Sequence, residues 1–138
     1  MSARTKARKL ALDVLFAAEL REETPRAVLE QRGRPNTDEL SEYGHAVRII
    51  EGVQDHSERI DELIATYATG WTLDRMPVVD RNILRMGAFE LLWVDDVPDG
   101  VAVSEAVGLA TELSTDESPR FVNGLLSRLQ QLKPSLSL

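Results

Sequence analysis

The chain of 138 residues contains no cysteine. That absence rules out a disulfide framework and any thiolate metal site, and it fits a reducing compartment. Histidine is almost as scarce, since His45 and His56 are too few for a histidine metal cage. No apolar run approaches the roughly 20 residues of a membrane span. The N-terminus lacks the apolar core of a signal peptide, so the expected setting is the cytoplasm, with no membrane partner. Missing too are an HExxH pair, a glycine-rich phosphate loop and a GxSxG elbow. Nothing here supports an enzyme, and no catalytic residue, metal or cofactor is expected.

Charge is abundant and unevenly placed. The net charge is −7, which by itself argues against nucleic acid. Residues 1–10, however, hold Arg4, Lys6, Arg8 and Lys9 and no acid, leaving 12 basic and 23 acidic side chains for the other 128 residues, a net of −11. A cationic head on an acidic body suits two partners of opposite sign; it also suits a plain solvated tail.

Helical periodicity runs through the chain. Ala7, Ala11, Val14, Leu15 and Ala18 share one helix face, predicting a first helix that ends near Glu23 ahead of a Thr24-Pro25 helix start. Gly33, Pro35 and Asn36 mark a loop. Tyr43, Val47 and Ile50 continue a helix for which Gly52 is a candidate break, and Ile60, Leu63, Ile64 and Tyr67 form another stripe that Gly70 ends. Residues 82–94 have only Asn82, Arg85 and Glu90 as polar side chains, the pattern of a helix at the centre of a bundle. DDVPDG (95–100) reads as a loop. Two more helices follow, on Val103, Ala106, Val107, Ala110 and Leu113 and then on Val122, Leu125, Leu126, Leu129 and Leu132. No segment alternates as a strand. The expected fold is a single all-α domain over residues 1–138.

Asn123-Gly124 is usually a turn dipeptide, but the last apolar stripe runs through it, so it is expected inside a helix that starts near 116–118. Glycine there costs about 1 kcal/mol relative to alanine, which asks for close approach by a helix or a ligand. Arg120 and Phe121 lie in the first turn, where free N–H groups favour phosphate. An exposed ring beside a guanidinium is a stacking platform for unpaired bases, whereas a buried Phe121 would be core. Phe16 poses the same choice on a second stripe of the first helix, flanked by Leu12 and Leu20. Asp74 and Asp80 bracket Pro77 before the central helix, either as first-turn carboxylates favoured by the dipole or as acids that meet a basic protein. His45 and His56 are expected in solvent, and Glu105 and Glu112 on a wet face.

Taken together, ARKLALDVLFAAEL (7–20), VVDRNILRMGAFELL (78–92) and DVPDGVAVSEAVGLATELSTDESPRFVNGLL (96–126), in that order, resemble the NusB transcription antitermination factor family. The resemblance covers nearly the whole chain and is weakest over 24–45. It implies about seven helices in two three-helix halves. It also implies pairing with the ribosomal protein called NusE, binding of boxA RNA in nascent ribosomal RNA leaders, and action on the RNA polymerase elongation complex with other Nus factors. The family's arginine-rich start would fall on Arg4, Lys6, Arg8 and Lys9, its first-helix aromatic on Phe16, and its RNA-contacting turn on Glu117, Ser118, Arg120 and Phe121. Its acidic contacts to NusE would fall on Asp74 and Asp80. A homodimer that buries the first-helix surface is compatible with it. Thr5 interrupts the basic run, and fewer guanidiniums mean fewer bidentate phosphate contacts. Two other readings stay open: a protein-interaction module with an unused tail, and an accessory domain of an RNA-modifying enzyme.

Overall fold

In the computed structural model, which describes residues 2–33 and 40–138, the chain begins with a capped helix. Ser2 Oγ accepts the Thr5 N–H at 3.1 Å, and helix α1 spans Ala3–Arg21. It stops two residues before Glu23 because Glu22 turns left-handed, at φ 56°. Thr24 then caps α2 (Pro25–Arg32), with Pro25 in the first turn, where its missing N–H costs nothing. Pro35 and Asn36 of the expected loop lie outside the described residues.

Helix α3 (Leu40–Asp55) passes through Gly52 without a break. A Cβ on Gly52 would stand 2.0 Å from Cζ of Phe89, so the glycine is there for close packing. The break falls at His56, and α4 (Ser57–Tyr67) follows. Gly70, at φ 80°, turns the chain toward a 3-10 turn at Leu73–Arg75 and α5 (Val78–Trp93). Helix α6 (Asp99–Leu113) begins inside the expected 95–100 loop, and α7 (Ser118–Leu132) begins within the expected window.

Helices α1, α2 and α3 pack on one another as one three-helix group, and α5, α6 and α7 as the second. Helix α4 bridges them, touching α3, α5 and α7, while α5 also reaches α1 and α3. The central position expected for residues 82–94 is therefore correct, with Ile83, Leu84, Met86, Ala88 and Leu91 all buried. Where α5 crosses α7, a Cβ on Gly87 would meet Leu126 Cδ1 at 2.6 Å. The fold is all-α, as expected, and no helix among the described residues is long and apolar enough to cross a membrane.

Two polar networks fix the helices to one another. Arg81 pairs both oxygens of Glu19 at 2.7 Å and donates to the carbonyls of Leu73 and Met76, while Arg85 pairs Asp61 and Glu19. These bonds join α1, α4 and α5. Burial opposes the charge on Glu19, but the hydrogen bonds from Arg81 and Arg85 outweigh it and hold its pKa down. The second network lies beneath the basic head.

Candidate nucleic-acid interface

The four head cations do not share one environment. Arg4 and Lys6 are exposed, and Arg4 reaches Asp96 at 3.1 Å. Lys9 is half-buried with its Nζ 2.6 Å from Glu112. Arg8 is only 3% exposed. It donates to both oxygens of Glu90 at 2.7 and 2.9 Å and to Glu105 at 2.9 Å. The phosphate contact expected of Arg8 thus gives way to a buried bidentate ion pair, because its helix face turns toward α5.

His45 belongs to the same network and is not in solvent. Its Nε2 lies 3.1 Å from Glu90, and Arg48 donates to its Nδ1 at 3.0 Å. An accepting Nδ1 requires the neutral ring with the proton on Nε2, which then donates to Glu90. Burial works against ionised Glu90, but hydrogen bonds from His45 and Arg8 hold its pKa below the usual carboxylate range. Arg8 is likewise held charged: burial opposes it, and the Glu90 contact prevails. Glu105, which also accepts from Thr5 at 2.7 Å, is partly covered by the head, whereas Glu112 stays exposed, as expected, and pairs with Lys9. His56 instead stacks on Trp93, ring centroids 4.4 Å apart.

The turn before α7 is built on a buried carboxylate. Asp80, 4% exposed, accepts from Ser118 Oγ at 2.8 Å and from Ser114 Oγ, and Ser118 itself is 1% exposed. Thr115 Oγ1 completes the cluster at 2.7 Å from Ser118 Oγ. These contacts correct two expectations. Ser118 is committed inward and does not face a base edge, and Asp80 locks the turn and does not present its charge to a basic partner. Asp74, on the 3-10 turn, is exposed.

What this turn holds outward is a cation and two rings. Glu117 and Arg120 are exposed, and Phe121 is half-buried against Trp71, centroids 6.2 Å apart and tilted by 50°. Trp71 is 47% exposed and was not singled out in the sequence; its only signal is its place directly after Gly70, ahead of the central helix. Beside the rings a groove of about 970 Å³ runs between Thr66–Thr69 at the end of α4 and the outer face of α7. Phe16 is half-buried on α1. Three residues on from it, Glu19 pairs with Arg81, the neighbour of Asp80. The first-helix aromatic and the α7 turn are thereby tied to the same end of α5.

The NusB family model matches residues 5–131. The chain belongs to the NusB family. Curated transcription antitermination NusB proteins from Arthrobacter sp. (strain FB24) and Thermobifida fusca (strain YX) are 62% and 58% identical to it. The alignments span 99% and 98% of this chain and 98% and 94% of those proteins. Among solved structures, T. maritima NusB superposes with a TM-score of 0.83 at 34% identity, covering 96% of this chain and 97% of that one. A second, described as antitermination factors NusB and NusE in complex with dsRNA, superposes at 0.78 with 30% identity, covering 95% and 98%.

In this member of the NusB family, the D-R-x-I-L-R stretch that carries the resemblance is architecture. Asp80 holds the α7 turn, and Arg81 and Arg85 join three helices. The outward chemistry lies around them, on Arg120, Phe121 and Trp71.

Proposed function

We propose that this chain is a transcription antitermination factor. With the ribosomal protein NusE it binds boxA RNA of nascent ribosomal RNA, and it helps RNA polymerase resist premature termination alongside other Nus factors. The observation that carries this reading is the edge at the start of α7. There Arg120 is exposed and unpaired among the described residues, beside the Phe121–Trp71 ring pair. Rings stack on unpaired bases and a guanidinium pairs phosphate, so one short segment serves both parts of a single strand. The near full-length kinship to antitermination proteins supports the same conclusion.

The residues divide by exposure. Arg120, Lys6 and Arg4 neutralise phosphates, and Lys9 joins them when it leaves Glu112. Phe121 stacks on a base, with Phe16 as a second platform. Glu117 accepts from base-edge amines. Arg8 and Ser118 act at one remove, the first by seating the head and the second by shaping the turn. Asp74 presents an acid to the basic ribosomal protein. One domain spanning residues 1–138 carries all of these surfaces.

The test is a titration of boxA-like RNA against a scrambled control, with and without NusE, at two salt concentrations. Preference for boxA that is enhanced by NusE and falls steeply with salt supports the reading. Absence of any preference under all four conditions leaves a helical protein-interaction module.

A further inference from the structure

Close packing among the described residues does not account for Gly124. It lies in the middle of α7, where glycine costs about 1 kcal/mol relative to alanine. A Cβ built on it meets nothing within 4 Å among the described residues, as at Gly44, Gly100 and Gly108 and unlike those on Gly52 and Gly87. No helix among the described residues approaches it closely enough to account for the missing side chain. Gly124 is exposed and lines the 970 Å³ groove between the end of α4 and α7.

At about 100° per residue, Arg120, Phe121, Gly124 and Arg128 fall within a single arc of about 100°, opposite the core stripe of Val122, Leu126 and Leu129. All four line the groove. Arg120 and Arg128 are exposed, and neither forms an ion pair or side-chain hydrogen bond among the described residues. This stands out in a chain of net charge −7, where most arginines are committed to carboxylates. Their Cα atoms are about 12 Å apart along the helix at 1.5 Å per residue. Glu117 is the one acid in the lining.

We infer that this groove is a track for unpaired RNA. The strand enters over the Phe121–Trp71 rings, passes its backbone across the bare surface at Gly124 and anchors a second phosphate on Arg128. The inference rests on the RNA-binding reading above and extends it by naming the path of the strand and two further residues, Gly124 and Arg128. The occupant is a single strand, because ring stacking requires bases released from a duplex, and two spaced guanidiniums match a repeating anion.

The test measures binding of boxA-like single-stranded RNA to the full chain with NusE, by fluorescence anisotropy across a salt series. It compares Arg128→Ala, Gly124→Leu and Trp71→Ala with Arg32→Ala, an exposed arginine on α2 away from the groove. Arg128→Ala is expected to weaken binding about threefold to tenfold and to lower the slope of log affinity against log salt by about 0.7. Gly124→Leu is expected to weaken binding at least as much while its unfolding midpoint stays level or rises, since leucine is the better helix former. Trp71→Ala is expected to weaken binding with little change in salt slope, and Arg32→Ala to change neither.

If Arg128→Ala and Gly124→Leu bind like the parent while Phe121→Ala is impaired, the RNA reading stands and the track is wrong. If the parent binds no RNA, both fall. A parent that prefers the duplex of the same sequence, or groove variants that lose only NusE, would make the groove a different kind of surface and overturn the track.

Discussion

Arg8 and Glu90, 3% and 2% exposed, form the pair on which the basic head is seated, and a double-mutant cycle measures what that seat is worth. Glu90→Leu leaves a buried guanidinium facing only the half-exposed Glu105, and it removes the acceptor of His45. Breaking such a pair from one side costs about 3–5 kcal/mol. Arg8→Met leaves Glu90 with His45 as its remaining partner, for a loss of about 3 kcal/mol. The double variant has no stranded charge and loses chiefly the His45 hydrogen bond, about 1–3 kcal/mol. The two single effects therefore add to well above the double, with a coupling of about 3 kcal/mol or more.

Urea unfolding followed by circular dichroism gives these values if the transition stays two-state, as single domains of this size usually do. At about 3–4 °C per kcal/mol, Glu90→Leu should melt about 10–20 °C and Arg8→Met about 10 °C below the parent. Acid provides a second readout. The folded pKa of Glu90 is depressed, so its stabilisation is complete above the unfolded value of about 4.3 and is lost as pH falls through the lower folded value. Parent stability should drop on acidification below about pH 4, and Glu90→Leu should remove that part of the slope. Single variants within about 1 kcal/mol of the parent, or losses that simply add, would refute the claim that the pair is a coupled buried unit.

Three further outcomes are expected. Asp96, held ionised to a pKa of about 2 by hydrogen bonds from Arg48 and then Arg4, should keep its charge down to that pH in a carboxyl NMR titration; Asp96→Asn should release Arg4 and tighten RNA binding at low salt. Gly52→Ala should destabilise by about 1–3 kcal/mol because the Phe89 ring occupies the added methyl's place, whereas Gly124→Ala should stabilise by about 0.4–1 kcal/mol; chemical denaturation that ranks them the other way would contradict the packing described. Phe121→Ala should lower RNA affinity by about 1–3 kcal/mol, the worth of one base stacked on a ring, with helix content unchanged by circular dichroism.

Periodicity reports which face of a helix is buried, and on that account six or seven helices and the central place of α5 were legible in the sequence. It does not report what a buried polar residue touches. Arg8 sits one residue beyond Ala7 of the core stripe, and nothing local reveals that Glu90, 82 positions away, will receive it. The same limit applies to Asp80 and Ser118, whose partners come together only when α5, α6 and α7 close around the turn. His45 was misplaced because a lone histidine carries no signal for a buried carboxylate. Gly52 read as a break since only the packed fold brings Phe89 against it.

Asp80, Arg81 and Arg85 lie within the stretch that carries the family resemblance, and all three are engaged inside the molecule. In this chain the stretch holds the α7 turn through Asp80 and ties α1, α4 and α5 together through Arg81 and Arg85. The RNA contacts proposed above fall instead to exposed and half-buried side chains around and beyond that turn. Specificity and affinity should therefore respond to Trp71, Arg120, Phe121 and Arg128. Changes at Asp80 or Ser118 should act through the fold: they should lower stability and RNA binding together, and raising the RNA concentration should recover occupancy only as far as the turn still forms.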